Sequence, residues 1–151
     1  MKLLRTIRLD ASDSFVFDPA AAPGEWAIPG GFMFAERRPE TFTSREKQAF
    51  RAGFLGIGSF GWSTLAVVVE ASEVERSAAI EALAARLVEH CGAPSLPVAR
   101  VAAAAEIAFA AELAAHPVQT LIALHRTVDA AGDISEQFRT LHAKDAREAA
   151  Q

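Results

Sequence analysis

LIALHRTVDAAGDISEQFRTL, residues 121–141, is the stretch of sequence that decides the fold. Its second half can be read in two ways. Ile134, Phe138 and Leu141 recur at the spacing of one helix face, which favours a helix over 134–142. Alternatively, the Ala-Ala-Gly sequence at 130–132 is a turn, and residues 121–128 pair with residues 134–141 as a β-hairpin.

The register of the hairpin favours the second reading. Folding the chain at 130–132 places two apolar pairs and one pair of opposite charge on one face: Val128 with Ile134, Leu124 with Phe138, and Arg126 with Glu136. Each such cross-strand pair stabilises a sheet by about 0.2–1 kcal/mol. We therefore predict a hairpin, with the helix as the alternative.

The other face of the hairpin is polar and gives the first candidate site. His125 and Arg139 become diagonal neighbours there, opposite Gln137 and Ala123 respectively. Both side chains donate hydrogen bonds, a property that suits a carboxylate or another anion. The alternative is an ordinary solvated sheet face.

Away from the hairpin, the pattern of residues 2–35 predicts several short strands. Residues 2–10 alternate as a strand, although Arg5 lies on its apolar face. Arg5 would either join an anion site or pair with a carboxylate at a sheet edge. A second short strand is predicted at 15–17. Pro29-Gly30-Gly31 favours a type II turn joining strands 25–28 and 32–35.

Three helices are predicted between the strands. Capping boxes at residues 43–46 and 72–75 start two of them, which run to about residue 54 and to residue 91. Pro97 and Pro117 bracket an alanine-rich helix over 98–115. A continuous apolar strand, 65–69, has the composition of a central strand. The fold class is therefore α+β: a mostly antiparallel sheet with two or three helices packed on one face.

The Gly53–Gly61 segment contains a glycine-rich motif. Its GIGSFG stretch, residues 56–61, matches the glycine spacing of a dinucleotide-binding loop. That loop must follow a strand and open a helix, whereas here a helix precedes it and a strand follows. A glycine connector that carries Phe60 and Trp62 into the core is the better interpretation. Trp62 remains a candidate for lining a crevice beside this connector.

Composition bounds the class of protein. The chain has 151 residues, 51% of them hydrophobic and 23% charged, and a net charge of −4. These values fit one domain, residues 1–142, with a polar tail at 143–151, and they exclude intrinsic disorder. They argue against a nucleic-acid partner. Charges interrupt both the start of the chain, 1–10, and the alanine-rich stretch 98–118, so we expect no membrane span and a cytoplasmic protein.

Few residues have the spacing of a catalytic or metal site. Cys91 follows His90 directly, and adjacent helical residues do not face each other. Glu112 and His116 share a helix face, but a metal needs three or four ligands. We therefore predict neither a metal nor a cofactor, and the catalytic residues are unknown, with a non-enzyme favoured.

Three stretches resemble a small bacterial family of unknown function: MKLLRTIRLD at the start, GFLGIGSFGWSTL in the middle and TLIALHRT…FRTLH near the end. The resemblance implies no activity or site residues. It does carry a weak association with the maturation of redox enzymes.

Two functions follow as hypotheses. The first is a non-catalytic accessory or assembly protein that acts through protein contacts, as a homo-oligomer or with a protein partner. The second is a binding protein or enzyme for a small anionic ligand, using a crevice formed by His125, Arg139 and the Gly53–Gly61 connector, with Arg5 and Trp62 as further candidates. Because most arginines lie in the terminal segments and residues 52–124 are acidic, an anion site is expected on the terminal segments.

Overall fold

The computed structural model describes residues 1–8 and 16–141 of the chain. Within them, three α-helices and seven β-strands follow one another in the order β1 (Lys2–Ile7), β2 (Trp26–Ile28), α1 (Ser44–Ala52), β3 (Phe54–Gly56), β4 (Trp62–Ser63), β5 (Leu65–Glu70), α2 (Glu73–His90), α3 (Leu96–Leu113), β6 (Leu121–Val128) and β7 (Ile134–Leu141). The predicted tail, 143–151, lies outside the described residues.

The strands form one curled sheet in the order β4-β3-β2-β1-β5-β6-β7, and every pair of neighbours is antiparallel. Helices α2 and α3 pack against each other, α3 lies against β1 and β2, and α1 lies against β6. The predicted α+β class with a mostly antiparallel sheet is confirmed. None of the helices in the described residues combines the length and apolar character that crossing a bilayer requires.

Two of the three helices begin at the caps predicted from the sequence, whereas α3 runs over Leu96–Leu113 instead of the predicted 98–115, with Ser95 as its N-cap. The Thr43 and Ser72 hydroxyls accept hydrogen bonds from the backbone N–H groups of Glu46 and Glu75, whose carboxylates bond back to the capping residues. Both capping boxes are therefore confirmed. Helix α1 ends at Ala52 rather than near residue 54, because Phe54 already belongs to strand β3.

The β6–β7 hairpin has the predicted register. Val128 is paired with Ile134, Leu124 with Phe138, and Arg126 with Glu136. The helical alternative for 134–142 is wrong over Ile134–Leu141, which form β7, and His142 lies outside the described residues.

Alternation along β5 and β6 divides their apolar side chains between two clusters. The main core takes Ala66, Val68, Ile122 and Leu124. A smaller cluster on the other side of the sheet takes Leu65, Val67, Leu121 and Ala123. Strand β5 is thus buried on both faces over its first four residues, as its continuous apolar run predicts.

Two predicted strands are wrong. Residues 31–34 form a 3-10 turn instead of the second strand of a hairpin, and β2 pairs with β1 and β3. The turn carries Phe34 into an aromatic cluster, with ring centroids 5.2 Å from Trp62 and 5.3 Å from Phe50. For the strand predicted at 15–17, residue 15 lies outside the described residues, and Val16 and Phe17 belong to no strand.

The largest fully buried side chain is an arginine. Arg126 lies on the part of β6 that extends past the end of β5, and its side chain is 0% exposed. Its Nε donates to the Glu136 carboxylate at 2.7 Å. Its remaining nitrogens donate to four backbone carbonyls: Ala49 at 3.2 Å, Phe50 at 2.9 Å, Gly53 at 3.0 Å, and Pro29.

These contacts fasten three separate segments together. The carbonyls of Ala49, Phe50 and Gly53 surround the C-terminal end of α1, where a cation offsets the negative end of the helix dipole. Burial lowers the pKa of Arg126, and the Glu136 carboxylate opposes that effect. Each nitrogen of the guanidinium has an acceptor inside the protein, and arginine keeps its charge in proteins.

Replacing this arginine is expected to destabilise the fold strongly. Arg126→Met leaves the Glu136 carboxylate and the carbonyls without their donor, a loss of about 3–5 kcal/mol in the free energy of unfolding. Urea denaturation measures it. Arg100→Met is the matched control, because Arg100 forms only an exposed pair with Glu81 and its loss costs at most about 1 kcal/mol. Equal losses in the two variants would contradict the role assigned to Arg126.

Candidate functional site

A cavity of about 520 Å³ lies between the end of helix α1 and the polar face of the β6–β7 hairpin. Its walls come from α1, from the residue between β4 and β5, and from both strands of the hairpin: Arg51, Ala52, Thr64, Ala123, Leu124, His125, Gln137, Phe138 and Arg139. We call this space the basic cavity, after Arg51, His125 and Arg139. Its volume is in the range of small-molecule sites.

Register places two of the three basic side chains. His125 is paired with Gln137 and Arg139 with Ala123, so His125 and Arg139 are diagonal neighbours on one face of the hairpin, as predicted. Strand alternation points that face away from the one that carries Leu124 and Phe138 into the main core.

Arg51 reaches the cavity from the last turn of α1. The position of that turn depends on Arg126, which bonds the carbonyls of Ala49, Phe50 and Gly53. Because these carbonyls are bonded to a cation, the negative end of the helix does not oppose an anion in the cavity. Arg126 thus acts on the basic cavity without lining it.

The basic side chains of the cavity are exposed and have no carboxylate partner. Within the described residues, neither Arg51, His125 nor Arg139 forms an ion pair, whereas Arg5, Arg37 and Arg45 do. Two permanent positive charges and an imidazole are therefore free to meet a ligand. Guanidinium groups bind carboxylate and phosphate through paired N–H···O bonds.

The structure places the other two candidate residues elsewhere. The Arg5 guanidinium lies 3.6 Å from the centre of the Trp26 ring, donates to the Gly24 carbonyl at 2.6 Å and pairs with Glu75 at 3.5 Å. Trp62 is 7% exposed and packs in the aromatic cluster with Phe34. Neither side chain lines the basic cavity, so their proposed part in an anion site has no geometric support there.

The glycine connector has a packing role. Glu25 occupies the donors of its loop, accepting hydrogen bonds from the Ser59 N–H at 2.5 Å and the Ser59 hydroxyl at 2.8 Å. A Cβ on Gly61 would lie 2.6 Å from the carbonyl carbon of Ala20, so that position requires glycine. Strand β3, and not the predicted helix, directly precedes the loop. Strand β4 follows the loop instead of a helix, which removes the anion-binding helix terminus that a dinucleotide site needs.

Cys91 is another candidate that the sequence analysis considered. The Cys91 thiol is exposed and lies 3.8 Å from the Met33 sulfur, and partial burial raises its pKa. No group of three or more His, Cys, Asp or Glu side chains in residues 1–8 and 16–141 has the geometry to hold a metal ion.

Sequence reasoning missed two residues that matter to the site. Arg51 lies 74 positions from His125 in the chain, and only the docking of α1 on the hairpin brings them together. Arg126 was predicted to pair with Glu136 but not to be buried. Its position among apolar residues, on the core face of the predicted hairpin, was the available signal.

Comparison with known proteins agrees with the resemblance found in the sequence. A family model described as a family of unknown function, DUF6505, matches residues 1–150. Searches among curated proteins and among solved structures give no match. The chain belongs to this family of unknown function, DUF6505.

Proposed function

We propose that this protein binds a small organic anion in the basic cavity. The observation that carries the proposal is the convergence of Arg51, His125 and Arg139, without carboxylate partners in the described residues, on one cavity of about 520 Å³. Arginine charges on a protein surface are commonly paired or scattered, and here they line a concave space. Concave sites with a few convergent polar groups are where small ligands bind.

The lining also limits the class of ligand. Ala52 and Ala123 give the cavity an apolar wall, whereas Arg51 and Arg139 supply forks of N–H donors. A ligand that satisfies both has a short apolar body and one or two anionic groups, either carboxylate or phosphate. His125 and Gln137 can donate further hydrogen bonds and so favour a ligand with more than one acceptor oxygen.

Calorimetric titration at low ionic strength tests the anion site, with succinate and inorganic phosphate as probes and neutral succinamide for comparison. Arg139→Gln and Arg51→Gln are each expected to weaken binding of the better anion by about 10–100-fold, because each removes a charge-assisted hydrogen bond. Arg38→Gln is the matched control: Arg38 is an exposed arginine that lies outside the cavity.

The outcomes separate the proposal from general attraction of anions to arginine. Unchanged affinity in Arg38→Gln, together with loss in the two cavity variants, supports the site. Equal weakening in all three variants, preference for succinamide, or no saturable binding of either anion overturns it.

A second candidate function is association with another copy of the chain, the form of protein contact that an assembly role requires. The observation in its favour is an apolar face on α3 that nothing in the described residues covers: Val98 is 53% and Val101 74% exposed. Ala102, Ala105 and Ala108 continue this face and allow two helices to approach closely.

The face itself favours a second copy of the chain as the partner. Two α3 helices packed antiparallel bring Val98 and Val101 of one helix beside the small residues Ala105 and Ala108 of the other.

Val101→Glu is expected to convert a dimer into a monomer, because it places a charge at the centre of this apolar face. Size-exclusion chromatography with light scattering measures the molar mass. Val74→Glu is the control: Val74 is 79% exposed but lies in the first turn of α2, where a glutamate is favourable. A wild-type monomer at all concentrations, or a dimer that survives Val101→Glu, contradicts self-association through α3.

A further inference from the structure

A second cavity, of about 440 Å³, lies on the opposite side of the β6–β7 hairpin from the polar face of the basic cavity. Its walls include three aromatic rings, those of Phe32, Phe109 and Phe138, and two carboxylates, those of Glu106 and Glu136. Helix α3, strand β7 and the 3-10 turn over Gly31–Phe34 supply these residues. We call this space the aromatic cavity.

The two carboxylates are not equivalent. Glu136 accepts a hydrogen bond from the buried Arg126 guanidinium at 2.7 Å, so its charge is balanced inside the protein. Glu106 forms no hydrogen bond or ion pair within the described residues. Burial, and secondarily the nearby Glu136, raise the pKa of Glu106, so its negative charge is held in an unfavourable place.

Aromatic rings that line a cavity can bind a cation through their faces. Phe109 and Phe138 meet edge to face, with ring centroids 5.8 Å apart and planes at 73°. The faces of such rings attract cations and repel anions, and desolvation in a cavity strengthens the attraction. An anion in this space would also be repelled by Glu106, and a neutral molecule would leave that carboxylate unbalanced.

We propose that the aromatic cavity binds an organic monocation: an ammonium group, with apolar substituents, that contacts the phenylalanine rings and balances Glu106. We expect a single positive charge on the ligand. Arg126 already balances Glu136, so Glu106 is the carboxylate of the cavity that the ligand balances. Phe138 lines both cavities, but Glu106 and Phe109 line only the aromatic cavity, so variants at these two positions test the proposal independently of the anion site.

The test compares choline with its neutral isostere 3,3-dimethylbutan-1-ol, which has the same shape and lacks the charge. Calorimetry or ligand-observed NMR on the full chain measures both affinities. Choline is expected to bind at least about tenfold more tightly than the alcohol, because only the cation gains the attraction of Glu106 and the rings.

Variants assign the effect to the cavity. Glu106→Gln keeps the shape of the side chain and is expected to remove most of the choline preference. Phe109→Leu keeps an apolar wall and is expected to weaken choline more than the alcohol. Glu112→Gln is the matched control, because Glu112 is an exposed glutamate on the same helix and does not line the cavity.

Three results would overturn the proposal: equal binding of the two probes, a choline affinity that Glu106→Gln leaves unchanged, or no saturable binding of choline at tens of millimolar. Loss of preference in Glu112→Gln to the same extent would likewise refute it, since that result indicates only a diffuse negative field around α3.

Discussion

The buried guanidinium of Arg126 is the interaction on which the rest of the arrangement depends. Burying a charged group is costly unless it is hydrogen-bonded, and here one carboxylate and four backbone carbonyls give each nitrogen of the 0% exposed guanidinium an acceptor. The acceptors come from the end of α1, from Pro29 after β2, and from β7. A single side chain of β6 therefore fixes the positions of three segments. Of these, only β7 is also paired with β6 in the sheet. In this way β6 is bonded to segments that adjoin β2 and β3, which lie beyond β1 and β5 in the strand order.

Both cavities lie beside segments that Arg126 bonds. The basic cavity exists where α1 meets the hairpin, and α1 is fastened there through its C-terminal carbonyls. The aromatic cavity exists where α3 and the 3-10 turn meet the core face of β7, beside Pro29, whose carbonyl also bonds to Arg126. The stability of the fold and the shape of the candidate sites are thus properties of one polar network. A network of this kind specifies geometry as long as every member is bonded.

The sequence predicted what depends on near neighbours. The β6–β7 register follows from apolar and charged pairs within 21 residues, and the capping boxes follow from residues three apart. The juxtaposition of His125 and Arg139 came from the same register. What escaped prediction depends on distant docking: Arg51 beside the hairpin, Glu106 facing β7, and the burial of Arg126. The strand predicted after Pro29-Gly30-Gly31 is wrong for a related reason. Its local turn signal was sound, but packing of Phe34 against Trp62 decided the path of the chain after it.

Alternation along the hairpin explains how a chain of net charge −4 can present a basic site. Successive residues of a strand point to opposite sides, so His125 and Arg139 lie on one face while Glu136 lies on the other, with Glu106 opposite it on α3. Salt screens the field of exposed charges beyond the Debye length, which is about 8 Å at physiological ionic strength, so the net charge of the whole chain has little effect inside a cavity. The local field in each cavity is therefore set by the few groups that line it. Arg126 strengthens this separation of charge between the two faces, because it balances Glu136, the acidic side chain that lies on the hairpin itself. One two-stranded unit can in this way hold sites of opposite charge preference back to back, with a bonded ion pair between them.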